Sequence, residues 1–239
     1  MSLPDWSVQL AYGRLGWALV LAALVLAIGA RVAGRRRVLP PLAVAAVVLG
    51  SIAWCLAPGR ASPAYWLMMG AQWPSALLVA LAGDACWRRA AAGSFGAAGA
   101  AWAAAPAYPL LPRGWASAIV VAGALLYADV AGWLAIGLYP LGFGPVAAPL
   151  LALLAAAGCV IALSRGVARE RATVLLVALL AWSIGRLPTG NLWDAMFDPL
   201  LWLWSLASVV AAGRARWRSA RGGVPVDPVD PVIEEPHTA

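Results

Sequence analysis

Long uncharged stretches dominate the chain, and short groups of arginines separate them. Three stretches, 38–59, 61–83 and 90–112, each exceed the roughly 20 residues that a helix needs to cross the hydrocarbon core of a bilayer. One such stretch is compatible with a buried helix of a soluble protein, but several in succession indicate a membrane. The pattern therefore predicts an all-α fold, a polytopic helical membrane protein.

The first apolar run, residues 15–30, predicts where the N-terminus lies. Asp5 and Arg14 precede this run, whereas Arg31 and three arginines at 35–37 follow it. A secretory signal peptide carries its positive charge before the apolar stretch. Because the strong positive charge here comes after it, the run is predicted to be an uncleaved helix with its N-terminus outside.

Four arginine clusters predict the rest of the topology. They occupy residues 31–37, 88–89, 165–171 and 214–221. Arginine-rich loops are retained in the cytoplasm, so an even number of spans is expected between consecutive clusters. The first and last intervals satisfy this rule, with predicted spans at 38–56 and 65–81, and at 172–187 and 199–212.

The middle interval contains three candidate spans, 90–111, 115–138 and 146–163, although the charge rule allows two. The segment 90–111 is the weakest, since it is mostly Ala and Gly and contains Pro106 and Pro109. We interpret it as a re-entrant or protein-buried helix, which Ala92, Gly96 and Ala100 would let pack closely against its neighbours. Seven transmembrane helices follow, with a cytoplasmic C-terminus. Eight helices, with one loop violating the charge rule, are the alternative.

Composition supports the membrane class. The chain is 63% hydrophobic and 11% charged, against about 45–50% and about 25% in soluble domains. All 17 basic residues are Arg, and their position in short clusters favours loops facing anionic lipid over nucleic-acid binding. We predict a bacterial cytoplasmic (inner) membrane, with the lipid bilayer and further membrane subunits as partners.

The chain is predicted to have one transmembrane bundle, residues 1–221, followed by a short tail. Residues 222–239 are rich in Pro and carry four acidic side chains. Few apolar side chains are available there to form a core. This segment is predicted to be a disordered cytoplasmic tail.

Several kinds of chemistry are excluded by the residues that the sequence lacks. The only histidine, His237, lies in the tail, and no lysine is present to form a retinal Schiff base or a phosphate-binding P-loop. Cys55, Cys86 and Cys159 are far apart and lack metal-ligand spacing. We therefore predict no cofactor, no metal site and no catalytic residue.

Asp129 is the first candidate for a functional polar side chain. It lies within the predicted span 115–138, where a carboxylate costs roughly 2.5–3.5 kcal/mol to insert. We expect it to face the bundle interior, either paired or protonated. It could handle protons or cations, but a hydrogen bond that locks helices together, for example with Tyr127, is the favoured interpretation.

A second candidate site lies in the external segment 185–202, which carries Arg186, Asn191, Asp194 and Asp198. Asp198 followed by Pro199 is typical of a helix N-cap and first turn. The two aspartates are four residues apart and would share a face if the segment were helical. Arg186 is the expected counter-charge. A structural knot that closes the outer face is favoured over a ligand site.

Apart from Asp129, the predicted spans contain few ionisable side chains away from their ends, and this bears on which classes of function are expected. A transporter needs a polar path through the membrane, whereas an accessory subunit needs only a packed bundle. We predict a non-catalytic accessory or assembly subunit. A small-solute or proton-coupled transporter using Asp129 is the alternative. The third class is an enzyme that acts on a lipid-linked substrate at the outer face through Asp194 and Asp198.

Overall fold

The computed structural model describes residues 4–32, 39–94, 113–186 and 188–222. Within these ranges every regular element is helical, which confirms the predicted all-α class. The helices are α1 (Trp6–Val32), α2 (Pro41–Leu56), α3 (Pro63–Ala71), α4 (Ala76–Ser94), α5 (Arg113–Val130), α6 (Leu138–Leu141), α7 (Ala147–Ser164), α8 (Arg169–Gly185), α9 (Leu192–Met196) and α10 (Pro199–Gly222), with a 3₁₀ turn at Gly59–Ala61.

Two of the described helices are long and apolar enough to cross a membrane. They are the Trp6–Ala30 part of α1 and the whole of α7, while α2 and the Gly114–Val130 part of α5 are apolar but shorter. Two such helices are compatible with membrane association, but they do not establish seven spans.

The helices pack as an antiparallel bundle with two distinct ends. Helix α1 packs on α2 and α4, α4 on α8, α8 on α7, and α5 on α10. We call one end the aspartate end, because it holds Asp194 and Asp198. The opposite, arginine end holds the start of α8 and the end of α4, which are joined by Arg88 and Glu170 at 2.6 Å.

Large apolar side chains fill the centre of the bundle. Trp17, Trp182 and Leu201 are each 1% exposed and belong to one continuous cluster. A second cluster, around Leu26 and Val44, joins α1, α2 and α4 nearer the arginine end. Both clusters consist of helix faces packed against one another.

The predicted span 65–81 is interrupted, which corrects the sequence interpretation. Helix α3 ends at Ala71, Gln72 has φ 59°, and α4 begins at Ala76. Pro74 has no amide hydrogen and disfavours a helical conformation at Trp73, which accounts for a break at this position. We call residues 72–75 the helix break.

Hydrogen bonds from α1 hold the helix break in place. The Tyr12 hydroxyl donates to the Pro74 carbonyl at 2.8 Å, and the Trp17 indole N–H donates to the Gln72 carbonyl at 3.1 Å. Carbonyls that have lost their helical partners are therefore satisfied by side chains of a neighbouring helix, as a buried break requires.

The predicted span 115–138 also proves too long. Helix α5 ends at Val130, and the chain then turns through Gly132, Ala135 and Gly137, all with positive φ. Residues 131–137 are apolar, so composition alone did not separate this loop from the helix before it.

Other predicted segments fall on helices or lie outside the described residues. The described parts of the predicted spans 38–56, 146–163, 172–187 and 199–212 fall largely on α2, α7, α8 and α10, and α10 continues beyond its predicted span to Gly222. Of the segment 90–111, residues 90–94 form the last turn of α4. Residues 95–112, including Gly96 and Ala100, lie outside the described residues, as do 35–37 and the tail from 223 onward.

Candidate functional site at the aspartate end

Two loops meet at the aspartate end, and Asn191 joins them. Its side-chain oxygen accepts from the Trp193 amide at 2.9 Å and caps α9, while its amide group donates to the Tyr139 carbonyl at 3.4 Å. The Leu192 amide donates to the Gly142 carbonyl, and the Trp193 indole donates to the Leu138 carbonyl. We call this junction of residues 138–142 with 189–194 the loop knot.

Asp194 completes the loop knot. Its carboxylate accepts from the Tyr139 hydroxyl at 3.0 Å and from the Thr189 hydroxyl. Burial, followed by the negative charge of Asp194, raises the pKa of Tyr139. The neutral phenol is therefore the form that the folded protein stabilises.

Asp198 forms a separate buried link between helices. It is 5% exposed and accepts from the Ser75 hydroxyl at 2.5 Å, the Ser75 amide at 3.1 Å and the Leu201 amide at 2.7 Å. The last of these bonds confirms that Asp198 caps α10. The first two attach the start of α4 to the start of α10, and we call this contact the Asp198–Ser75 link.

The two aspartates do not share a helix face, contrary to the expectation for a continuous helix. Helix α9 ends at Met196, Phe197 is extended, and α10 begins at Pro199. Asp194 therefore belongs to the loop knot, and Asp198 to the bundle core. Their hydrogen-bond partners are different.

Asp129 occupies the last turn of α5 and not the middle of a longer helix. Its carboxylate accepts from the amides of Ile136, Gly137 and Tyr139 at 2.8 to 2.9 Å. Three N–H donors stabilise the charged form of a carboxylate. Asp129 thus shapes the loop that leads into the loop knot.

Arg186 ends α8 at the same end of the bundle. It has φ 51° and its guanidinium lies over the Trp182 ring, 4.5 Å from the centroid. The indole of Trp182 donates to the Gly190 carbonyl at 3.2 Å. Trp182 therefore links the end of α8 to the turn that precedes Asn191.

Sequence reasoning missed two sets of partners. Ser75 is 123 residues from Asp198, and Tyr139 is 55 residues from Asp194, so neither pairing leaves a local signal. At the arginine end, Arg88 binds both Asp84 at 2.7 Å and Glu170 at 2.6 Å. The spacing of Asp84 and Arg88 on one helix could have predicted the first of these ion pairs.

Beneath the loop knot, a cavity of about 410 Å³ extends into the bundle. Its walls come from α4, α5, α7 and α8, and α9 closes it at the aspartate end. The described side chains that line it are aliphatic, aromatic or methionine, and none of them carries a charge.

The carboxylates of the candidate site are bonded within the chain. Those of Asp129, Asp194 and Asp198 each accept two or more hydrogen bonds from its amides and hydroxyls. Within the described residues, no group of three or more His, Cys, Asp or Glu side chains could hold a metal ion. No family model, curated protein or solved structure matches the chain.

Proposed function

We propose that the chain is a seven-span protein of the bacterial cytoplasmic membrane, with its N-terminus outside and its C-terminus in the cytoplasm. Helix α7 carries this proposal: it has 18 residues and no charge, and only 17% of it is buried. Leu150, Leu153 and Leu154 are 51 to 67% exposed. An apolar face of this size is costly in water and is stable against lipid.

The contacts between helices support seven spans over eight. The Asp198–Ser75 link places the start of α4 beside the start of α10, at the aspartate end. Helix α4 then ends at the arginine end. The Trp202 indole near the start of α10 donates to the Val120 carbonyl of α5, and the loop after α5 enters the loop knot, so α5 runs towards the aspartate end. With α3 and α4 counted together, the described helices account for seven passes through the bundle.

Single cysteines in a cysteine-free background test this topology in intact cells. Trp133→Cys and Val167→Cys lie in loops at opposite ends and are 84% and 61% exposed in the native chain. We expect a membrane-impermeant maleimide to label position 133 and not position 167. Ser94→Cys and Gly114→Cys should both be protected. Labelling of positions 114 and 167 with 94 and 133 protected would support eight spans, whereas labelling of 94, 114 and 167 would overturn the orientation.

Within this architecture, we propose a non-catalytic role as an accessory or assembly subunit of a membrane system. The carboxylates that sequence reasoning offered for chemistry are bonded to backbone amides and hydroxyls of their own chain. The cavity beneath them is apolar. These features suit a rigid bundle that supports a partner, and they favour an enzyme much less.

Extraction of native membranes with an amphipathic polymer, followed by native mass spectrometry, tests the subunit proposal. We expect the chain in a complex that contains a second polypeptide at fixed stoichiometry. Trp87→Ala and Trp133→Ala, exposed at opposite ends of the bundle, will show which end holds the partner. Isolation of the chain alone from every preparation would contradict the proposal.

The helix break favours a transporter as the second candidate. Interrupted helices form the binding sites of many secondary transporters. Here Tyr12, Trp17 and Asp198 already form hydrogen bonds with the polar groups of the helix break. The transporter is therefore the second candidate and not the first. Proteoliposomes containing a pH-sensitive dye would show proton flux that is lost in Asp129→Asn if the transporter assignment is correct. The accessory proposal expects no flux in either protein.

A further inference from the structure

The apolar cavity lies between two helices, α5 and α7, that have few backbone contacts with each other. Helix α5 packs mainly on α10, and α7 on α8. The cavity lies between these pairs, and Ala118 of α5 and Ala155 of α7 line it while remaining exposed. We call these two alanines the lips of the cavity, since their small side chains leave the gap between the helices open.

The opening continues into the apolar outer surface of the bundle. Next to the lips, Val121 of α5 is 59% exposed and Leu154 of α7 is 61% exposed. If this surface contacts lipid, as the proposed function requires, a lipid chain can enter the cavity without crossing a polar region.

The size of the cavity suits a small apolar occupant. Its volume, about 410 Å³, lies within the roughly 300–1,000 Å³ of cavities that bind small molecules. On α5 the lining residues run from Trp115 to Ala122, which corresponds to roughly 10 Å along a helix. A single hydrocarbon chain of a lipid is an occupant of this size class.

The lining selects for the same occupant. Its side chains, such as Leu179, Met196 and Phe197, are all apolar. Apolar walls of this kind favour an apolar occupant, because its binding removes apolar surface from water. Water, ions and polar solutes would lose hydrogen bonds there without replacement.

We propose that this cavity is a binding site for one hydrocarbon chain of a membrane lipid, which enters between Ala118 and Ala155 and ends beneath α9. The proposal rests on the membrane assignment made above. The bound chain would fill the gap between the α5–α10 and α7–α8 pairs. The headgroup would remain outside the lips, in the surrounding bilayer.

Photolabelling tests the site in the full-length chain. The protein is reconstituted in phosphatidylethanolamine and phosphatidylglycerol vesicles that contain phosphatidylglycerol with a diazirine in its acyl chain. After irradiation, adducts are located by mass spectrometry. We expect adducts on Leu179 and Met196, which are 3% and 6% exposed and face the cavity. Ala118→Phe and Ala155→Phe should lower these adducts several-fold. Val121→Phe and Leu154→Phe, their neighbours on the outer surface, should not.

The possible outcomes separate this proposal from the membrane assignment. Adducts on Leu153 and Leu154 without adducts on Leu179 or Met196 would overturn the lipid site and leave the membrane assignment standing. Adducts on the cavity walls that persist in both lip variants would overturn the proposed entry. A complete absence of adducts would overturn the membrane assignment itself.

Discussion

At the residue scale, buried polar side chains of this protein act mainly as connectors. Asp198 is the clearest case, because three donors from two helices converge on a carboxylate that is 5% exposed. A buried charge is tolerated only when such donors replace its water. We therefore expect replacement of such a side chain to lower the free energy of unfolding.

Replacing Asp198 with Asn should destabilise the protein by about 2–3 kcal/mol, since charge-assisted bonds are lost and buried N–H groups lose an acceptor. Unfolding in mixed detergent micelles, followed by tryptophan fluorescence, measures the change. Asp5→Asn, at an exposed position, should stay within about 0.5 kcal/mol of the wild type. If Asp198→Asn does not fold, Ser75→Ala is expected to cost less and can replace it. Wild-type stability in both variants would show that the link is dispensable.

Two glycine-to-alanine changes should have opposite effects. A Cβ atom on Gly142 would overlap the side chains of Asn191 and Trp193, whereas one on Gly158 in α7 would meet nothing within 4 Å. Gly142→Ala should cost about 1–3 kcal/mol through overpacking of the loop knot. Gly158→Ala should stabilise by about 0.5–1 kcal/mol, since alanine favours the helix. Equal unfolding midpoints would contradict the geometry of the loop knot.

We expect the free energy of unfolding to fall at high pH, where Tyr139 ionises. Burial and the charge of Asp194 raise its pKa in the folded state, above a value of about 10 in the unfolded chain. Its contribution to stability is therefore complete below pH about 10 and is lost as the pH rises through the higher folded value. Tyr139→Phe should show a shallower loss than the wild type between pH about 9.5 and 11.5 in unfolding titrations. Tyr65→Phe is the control, and identical slopes in wild type and Tyr139→Phe would contradict the assignment.

At the scale of elements, sequence patterns located helices better than they located helix ends. The apolar runs at 38–56 and 146–163 correspond closely to α2 and α7. Apolar content did not show that residues 131–137 form a loop, because the same residue types suit a helix in lipid. Pro74 did provide a signal for the helix break, whereas the Tyr12 and Trp17 side chains that satisfy it come from more than 50 residues away.

The helix break depends on α1 for its stability. Tyr12→Phe removes the donor to the Pro74 carbonyl and leaves that carbonyl without its partner, at a cost of about 1–2 kcal/mol. Tyr65→Phe should be near neutral, since the contact of Tyr65 in the described part of the chain is an edge contact with Trp66. Equilibrium unfolding of both variants in the same detergent measures the difference. Equal stability would mean that water, and not Tyr12, satisfies the break.

At the scale of the whole molecule, charge and hydropathy predicted the helical class. They did not predict which residues far apart in sequence form hydrogen bonds with each other. The carboxylates were recognised from sequence as unusual. Their partners were not, because Ser75 and Tyr139 carry no mark that distinguishes them from other Ser and Tyr residues. The stacking of Arg186 over the ring of Trp182 was likewise not predicted from the sequence.

The accessibility of residues along α7 tests whether this helix crosses the membrane. Spin labels at Val146, Leu154 and Val167 report the depth of the helix and of its two flanks, positions that are 73%, 61% and 61% exposed. In reconstituted vesicles we expect the ratio of oxygen to nickel-chelate accessibility to peak at Leu154 and to fall at both flanking positions, because oxygen concentrates in hydrocarbon and the chelate stays in water. A flat profile with high nickel accessibility would contradict the membrane assignment. Low accessibility to both reagents at Leu154 alone would instead show that a protein partner covers α7, as an accessory subunit would require.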